Sequence, residues 1–282
     1  ELYMKILITG ANGYIGSKVA KKLYDLGYQV IATDLDNSNI DSKIFFVKVD
    51  IFTIENSITT FFGNPDICIH LAWRDGFLHN SVNHMADLSK HFIFLNNLVN
   101  EGIKKLIVMG TMHEVGYYEG KIDNNTPTNP STLYGISKDS LRKSIFTRKD
   151  EVNIIWLRAF YIYGNDRSNP SVFGKISMAE HKGDTTFPIN SGKNKYDFIS
   201  IEELSEQISF ATIQNKYFGI INCCSGKSKS LSQMLEEYIQ KNMFKIKLDY
   251  GKYPDRPYDS PEVFGDNTII ETIIKEYKKW KY

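Results

Sequence analysis

The 282-residue sequence contains little cysteine and no long hydrophobic segment. Its three cysteines, Cys68, Cys223 and Cys224, are odd in number and lie in apolar, strand-like runs. This argues against a disulfide framework or a metal site and fits a reducing compartment. Because the sequence has no apolar stretch of about 18 residues and no signal-peptide pattern, we expect a cytoplasmic protein with no membrane partner.

The sequence also lacks an excess of either charge, with 34 Lys and Arg residues against 33 Asp and Glu residues. A nearly neutral chain has no basic footprint for nucleic acid, so we expect no such partner. At 42% apolar residues, the chain is able to bury a large core.

Glycine is concentrated near the start of the chain, where residues 4–17 read MKILITGANGYIGS. An apolar run ends at Gly10, Gly13 and Gly16 follow, and a helix-patterned segment comes next, which predicts a strand, a tight turn and a helix. In nucleotide-binding folds such glycines permit the turn, the approach of a pyrophosphate and close packing of helix on strand. The free N–H groups of the helix start favour an anion. The alternative is a glycine-rich loop that binds nothing.

Acidic residues follow the second predicted strand, 28–32. Asp34 lies eighteen residues after Gly16, where a nucleotide fold offers a carboxylate to the ribose hydroxyls. A second acid at Asp36 would repel a 2′-phosphate, which favours NAD over NADP. An acidic turn without a ligand is the alternative interpretation.

Apolar strand patterns alternate with helical patterns over the first 160 residues or so. The third strand, 44–49, leads to Asp50 and Ile51, which we expect to lie against adenine. The fourth, 65–72, is apolar throughout, as a strand buried on both faces should be. Ligands of an open parallel sheet bind beyond the carboxyl ends of its strands, so the residues after this strand should face the cofactor. The alternation predicts an α/β fold with a doubly wound parallel sheet.

A hydroxyl, a phenol and an amine follow the fifth predicted strand, 105–109. Thr111 lies just beyond its end, and Tyr134 and Lys138 share one face of a later helix. The Tyr-x-x-x-Lys spacing occurs four times in the chain and is not specific alone. Only this pair begins a helix directly after the loop of the fifth strand.

A sixth strand is predicted over 153–163, and no strand or long helix is predicted across 165–195. We interpret residues 1–164 as an NAD-binding Rossmann domain to which the chain returns at about 196–224. Residues 165–282 are interpreted mainly as a smaller substrate-binding region.

With these motifs placed, the chain resembles the extended short-chain dehydrogenase/reductase family of nucleotide-sugar epimerases, dehydratases and ketoreductases. TGANGYIG resembles its T-G-x-x-G-x-x-G, IHLA its fourth-strand signature, Thr111 its Ser/Thr and LYGISK its Tyr-x-x-x-Lys. FYIYG, YDFISIEEL and INCCSGKSKSL resemble later blocks, so the likeness covers nearly the whole chain. It implies NAD as cofactor, a nucleoside-diphosphate sugar as substrate and, as in many relatives, a homodimer.

The resemblance also implies that Tyr134, Lys138 and Thr111 work together on a nicotinamide. Bringing a phenol of pKa about 10 near 7 needs about 4 kcal/mol, which one ammonium about 4 Å away supplies at an effective dielectric near 20. Tyr134 would exchange a proton with a sugar oxygen, steadied by Thr111, while Lys138 also binds the ribose. The predicted cofactor-binding residues are Gly10, Asn12, Gly13, Tyr14, Ile15, Gly16, Asp34, Asp50, Ile51, Leu71, Ala72, Tyr134 and Lys138.

Departures from the family pattern bear on the reaction. Family dehydratases follow the Thr with Asp and Glu, and this chain has Met112 and His113, which argues against a carboxylate-driven dehydration. His113 stands where several relatives place an extra acid or base, and it suits either role; a histidine bonded to its loop is the alternative. Predicted substrate contacts are Arg74, Tyr161, which replaces a common asparagine, and Arg256, whose guanidinium suits a diphosphate or, alternatively, a surface salt bridge.

We therefore expect an NAD-dependent oxidoreductase that moves hydride at a ring carbon, C4, of a nucleoside-diphosphate sugar in polysaccharide precursor biosynthesis. A 4-keto reductase or dehydrogenase is the first interpretation. The alternative is a 4-epimerase that retains NAD through both half-reactions. A third hypothesis is a catalytically silent cofactor-binding protein on the same fold, against which the presence of Thr111, Tyr134 and Lys138 argues.

Overall fold

The computed structural model describes residues 4–164, 171–255 and 259–281. Among the helices described, none has the length and apolar character needed to cross a membrane. The strands are β1 (Lys5–Thr9), β2 (Gln29–Asp34), β3 (Phe45–Lys48), β4 (Ile67–His70), β5 (Lys105–Thr111), β6 (Gly120–Ile122), β7 (Asn153–Ala159), β8 (Tyr161–Tyr163), β9 (Thr186–Pro188), β10 (Lys195–Ser200), β11 (Gly219–Cys223), β12 (Ser228–Ser230), β13 (Lys247–Asp249) and β14 (Glu262–Gly265). The α-helices are α1 (Gly16–Asp25), α2 (Ile58–Phe61), α3 (Asn83–Asn100), α4 (Leu133–Ile145), α5 (Val172–Lys182), α6 (Ile201–Ile213), α7 (Leu231–Lys241) and α8 (Thr268–Lys281).

Seven parallel strands form the main sheet in the order β3-β2-β1-β4-β5-β7-β11. Side chains alternate across this sheet: Ile6 and Ile8 pack in one layer with α1, α6 and α8, while Leu7 packs in the other with α3 and α4. The expected doubly wound α/β fold is confirmed. The strand order reverses between β1 and β4, so a crevice for a ligand is expected where these two strands end.

A second sheet, of order β12-β10-β14-β6 with β8 added alongside β10, lies beyond the main one. Its strands come from both halves of the chain. The buried carboxylate of Asp197 in β10 holds it in place by accepting hydrogen bonds from the N–H groups of Ser225, Gly226 and Gly265 and from the Ser225 hydroxyl. One side chain thus fastens β10 to β14 and to the loop after β11.

Two predicted segments differ from the structure. The stretch predicted as one strand, 153–163, is broken at Phe160, whose N–H donates to the Cys223 carbonyl 3.2 Å away, so that β8 joins the second sheet. Residues 153–163 as a whole favour a strand, so the sequence does not indicate where the chain leaves the main sheet and enters the second one. The helix α5 and the strand β9 lie within 165–195, where no strand or long helix was predicted; Ser171 caps α5 by accepting from the Gly174 N–H, and Gly183 ends it at φ 84°.

Candidate active site

The glycine turn lies at the switch point of the sheet and is closely packed on its inner side. A Cβ at Gly10, whose φ is +66°, would lie 2.5 Å from the Ala72 nitrogen, and one at Gly16 would lie 2.1 Å from the Gly10 oxygen. A Cβ at Gly13 would have only the Gly10 oxygen within 4 Å, at a distance of 3.2 Å. The start of α1 at Ile15 has no side-chain cap and its first turn has no acidic residue. This turn therefore fits the backbone approach and the charge of a dinucleotide pyrophosphate.

The two acidic residues after β2 lie beside this turn. Asp34 accepts hydrogen bonds from the N–H groups of Asn12, at 2.9 Å, and Leu35, at 2.8 Å. The Asn12 side-chain amide donates to Asp36 at 3.3 Å. Two carboxylates here suit ribose hydroxyls and repel a 2′-phosphate, in agreement with NAD as the cofactor.

Other predicted cofactor residues lie around the same edge. Tyr14 donates its hydroxyl to the Gly164 carbonyl at the end of β8. Asp50 accepts from the Phe52 N–H at 3.0 Å and starts the short 3-10 helix to which buried Ile51 belongs. Leu71 and Ala72 follow β4 directly, and the Ala72 nitrogen borders the glycine turn. Their roles toward NAD stay predictions.

The structure brings Thr111, Tyr134 and Lys138 together. Thr111 ends β5, Tyr134 lies on the first turn of α4, and the Thr111 side chain is close enough to lower the pKa of the phenol. The Tyr134 N–H donates to the His79 carbonyl at 2.8 Å, which ties the start of α4 to the loop after β4. The Lys138 Nζ lies 6.0 Å from the centroid of the Tyr134 ring.

Burial acts against the charged forms of both groups. It raises the pKa of Tyr134 above its ordinary value, the negative charge of Glu114 adds to this rise, and the polar Thr111 side chain opposes it. Burial lowers the pKa of Lys138 to about 7, and Glu114 opposes that change. A phenolate at Tyr134 therefore depends on a positive charge kept at Lys138.

Three histidines border the phenol: the His84 ring lies 5.2 Å from the Tyr134 ring, centroid to centroid, and His79 and His113 lie close to the same ring. The rings of His79 and His113 have centroids 4.4 Å apart, and His79 stacks on Tyr134 at 5.5 Å and 12°. His113 lies 6.2 Å from Tyr134 and 6.0 Å from Tyr161, centroid to centroid. Burial lowers the pKa of His113 to about 3, and that of His79 also falls. His113 thus lies beside the Tyr134 phenol, while its role as acid or base stays a prediction. Sequence reasoning missed His79, although it lies in the loop after β4 that was expected to face the cofactor.

The three predicted substrate contacts differ in their surroundings. Tyr161 lies against Tyr196, with ring centroids 4.6 Å apart, and borders His113. Arg74 is about half exposed and pairs with Asp87 of α3. Arg256 lies outside the described residues, so its contact stays a prediction.

Glu114 lies under the site and is fully buried. Its Oε1 accepts from the Thr111 N–H and from Trp156 Nε1, both at 2.8 Å. Its Oε2 lies 3.6 Å from the Nε atoms of Arg142 and Arg158. Glu114 therefore fixes the end of β5 that carries the Thr111 hydroxyl.

A sequence model of the NAD dependent epimerase/dehydratase family matches residues 6–224, and the chain belongs to this family. It is 45% identical over 269 residues to dTDP-6-deoxy-L-talose 4-dehydrogenase (NAD(+)) of Aggregatibacter actinomycetemcomitans, covering 93% of this chain and 99% of the relative. The family and this relative confirm the expected enzyme class and NAD as the expected cofactor.

Solved structures share the fold. UDP-glucose 4-epimerase of Thermotoga maritima, with UDP-glucose, superposes with a TM-score of 0.81 at 22% identity, covering 95% of this chain and 92% of that one. UDP-glucose 4-epimerase of Thermus thermophilus, in complex with NAD, superposes with a TM-score of 0.77 at 19% identity, with the same coverage.

Proposed function

We propose that this chain is an NAD-dependent 4-dehydrogenase that interconverts the C4 hydroxyl and ketone of dTDP-6-deoxy-L-talose. The observation that carries this proposal is that Thr111 ends β5 while Tyr134 and Lys138 lie on α4, with the Lys138 ammonium 6.0 Å from the Tyr134 ring. The 45% identity to a dehydrogenase of that name, over nearly the full length of both chains, supports the choice of substrate.

The chain's own groups account for the proton chemistry. Bound NAD would accept a hydride from C4 in the oxidation and return it in the reverse direction. Tyr134 would take the hydroxyl proton, and the Thr111 hydroxyl would hold the sugar oxygen in line with the phenol. An ammonium about 6 Å away is worth about 3 kcal/mol at an effective dielectric near 20, or about two pKa units. The positive charge of Lys138 thereby offsets much of the rise in the Tyr134 pKa that burial causes.

We infer that the remaining predicted groups bind the substrate from the other side of Tyr134. His113 lies beside the phenol and Tyr161 lies beside His113, and both side chains would contact the sugar. Arg74 and Arg256 would receive the diphosphate, since guanidinium groups match phosphate oxygens. Residues 165–282 would form most of the substrate-binding region, and residues 1–164 most of the NAD-binding domain.

The test is to supply purified protein with NAD and dTDP-6-deoxy-L-talose while absorbance is followed at the NADH band. We expect one NADH for each keto sugar formed. Tyr134→Phe should abolish turnover and leave NAD binding largely intact. Tyr117→Phe is the matched control, because Tyr117 begins another Tyr-x-x-x-Lys in an exposed loop and should not affect turnover.

Other results would contradict the dehydrogenase. Sugar epimerised at C4 without net NADH would identify a 4-epimerase. Tight NAD binding with no turnover of any nucleotide sugar would favour a silent cofactor-binding protein. Near-normal activity of Tyr134→Phe would refute the assignment of the proton-transferring group.

We also infer a homodimer in the cytoplasm. Met85 and Ile93 on α3 are 46% and 55% exposed, which leaves apolar side chains on a helix that flanks the site. Light scattering on the purified protein tests this: a mass of one chain at micromolar concentration would contradict the dimer.

A further inference from the structure

Within the described part of the chain, the buried ammonium of Lys138 lacks the carboxylate partner that usually compensates such a charge. Lys138 is only 3% exposed. In residues 4–164, 171–255 and 259–281, no carboxylate forms an ion pair with it. The two buried carboxylates of the same region face other cations: Glu114 faces Arg142 and Arg158, and Asp139 pairs with Arg142 and Lys143. A buried ammonium without such a partner loses its proton readily unless another group compensates.

A backbone carbonyl and an indole ring stabilise the Lys138 ammonium. The Lys138 Nζ donates to the Met109 carbonyl at 2.7 Å and lies 3.9 Å from the centroid of the Trp73 ring. Contacts of other described cations with rings of their own surroundings, such as Lys22 with Phe210, span 5.0 to 5.9 Å. The face of an indole is negative, and its attraction for a cation is strongest where water is excluded.

The ring of Trp73 is held on its edge and on its second face. Its Nε1 donates to His84 Nδ1 at 3.0 Å, which leaves the proton of that imidazole on Nε2, 2.9 Å from the Leu78 carbonyl. The His91 ring stacks on it at 4.3 Å and 16°. His91 in turn is linked to His70 at 2.8 Å. These contacts fix the indole so that one face remains for Lys138.

We propose that Trp73 is a positioning residue that keeps Lys138 protonated and beside Tyr134, in the place of a carboxylate. The proposal rests on the role given to Lys138 in the proposed function. It gives a functional role to Trp73, which follows β4 at the edge where the strand order of the sheet reverses.

The charged and titratable groups around Lys138 agree with this role. Glu114 lies below α4 and favours the ammonium, while burial opposes it. His70 on β4 and His91 on α3 face the same ammonium, and burial lowers the pKa of both, so neither adds a positive charge at neutral pH. Tyr134 is the remaining titratable neighbour, one turn earlier on α4. Without the indole, only the Met109 carbonyl and the more distant charge of Glu114 among these groups would oppose the effect of burial on Lys138.

The first test compares Trp73→Phe and Trp73→Leu in the pH dependence of kcat. We expect the pH at which activity is lost through deprotonation of Lys138 to fall by about half a unit for Phe and about one unit for Leu, the latter being about 1.4 kcal/mol. Phe146→Leu is the control, because Phe146 packs in the same hydrophobic cluster away from Lys138; its profile should not move. A lower kcat with an unshifted profile in both Trp73 variants would overturn the proposal.

The second test needs neither substrate nor a substituted Trp73. The tryptophan emission of the wild-type protein, without added NAD, should titrate as Lys138 loses its proton. Lys138→Met should lack this transition while it keeps every tryptophan. Identical titrations of the two proteins would overturn the proposal even if Trp73 variants fail to fold. Because this readout is independent of turnover, absence of NADH formation would count against the proposed function and not against the contact.

Discussion

Replacing Glu114 by glutamine should destabilise the protein through its two buried arginines. The Gln side chain keeps a carbonyl oxygen for the two N–H donors that Oε1 serves, from Thr111 and Trp156. It removes the negative charge that lies 3.6 Å from the Nε atoms of Arg142 and Arg158. Arg158 is fully buried, so its charge would have no carboxylate facing it at that position.

The magnitude follows from the distance and the burial. One pair of unit charges 3.6 Å apart attracts by about 5 kcal/mol at an effective dielectric near 20. The neutral glutamine also avoids the desolvation free energy of a buried carboxylate, and this offsets part of the lost attraction. We therefore expect the free energy of unfolding to fall by about 3 kcal/mol, the low end for a broken buried ion pair. Glu114→Ala should cost about 2 kcal/mol more, because two buried N–H donors then lose their acceptor.

Urea unfolding followed by circular dichroism measures these differences. Glu151→Gln is the matched control: Glu151 is exposed and pairs with Arg148 on the surface, so its loss should not change the unfolding midpoint. The reasoning would be refuted if Glu114→Gln unfolded at the wild-type midpoint. It would also be refuted if both glutamine variants lost equal stability, because burial would then have no part in the effect.

Three further predictions concern the glycine turn, a buried lysine and acid stability. Gly10→Ala should abolish NAD binding in a fluorescence titration, since its Cβ would meet backbone at 2.5 Å, whereas Gly63→Ala, which meets nothing within 4 Å, should still bind NAD. Lys105→Met should lower the unfolding free energy by about 3 kcal/mol, because Nζ donates to three oxygens at 2.6 to 3.0 Å, and exposed Lys104→Met should not. Burial lowers the pKa of His91 to about 3, so the folded state should lose stability as pH falls from about 6.5, and urea midpoints of His91→Asn should fall less steeply.

The sequence predicted those parts of the fold that repeat a local pattern. The apolar strands, the glycine turn and the helix that begins near Tyr134 each have their signal within about fifteen residues. The doubly wound parallel sheet follows from that alternation, whereas the order of its strands was not predicted, because the right-handed rule fixes the hand of a crossover and not the strand order. The separation of β8 from β7 has no such signal, because the residues on both sides of Phe160 are equally good strand formers.

The candidate site was predictable in Thr111, Tyr134 and Lys138 and not in the residues that support them. Their positions after the fifth strand selected these three residues, and the resemblance to the family implied their joint role. The partners of Lys138 were not predicted, because Trp73 and Met109 contact it across the sheet edge and share no sequence pattern with α4. His79 reaches Tyr134 in the same way, through a loop whose path depends on tertiary contacts.

The packing after Thr111 gives a physical reason for the absence of a dehydratase acid. Met112, which stands where family dehydratases have Asp, is only 6% exposed and packs with Val115, Ile122 and Phe160 in an apolar cluster. A carboxylate there would be desolvated and directed away from the phenol. The next residue, His113, is the one that faces Tyr134. The short 3-10 turn Met112–Glu114 thus presents an imidazole to Tyr134 and buries its carboxylate against the Thr111 N–H and Trp156, which agrees with the proposed hydride transfer without elimination of water.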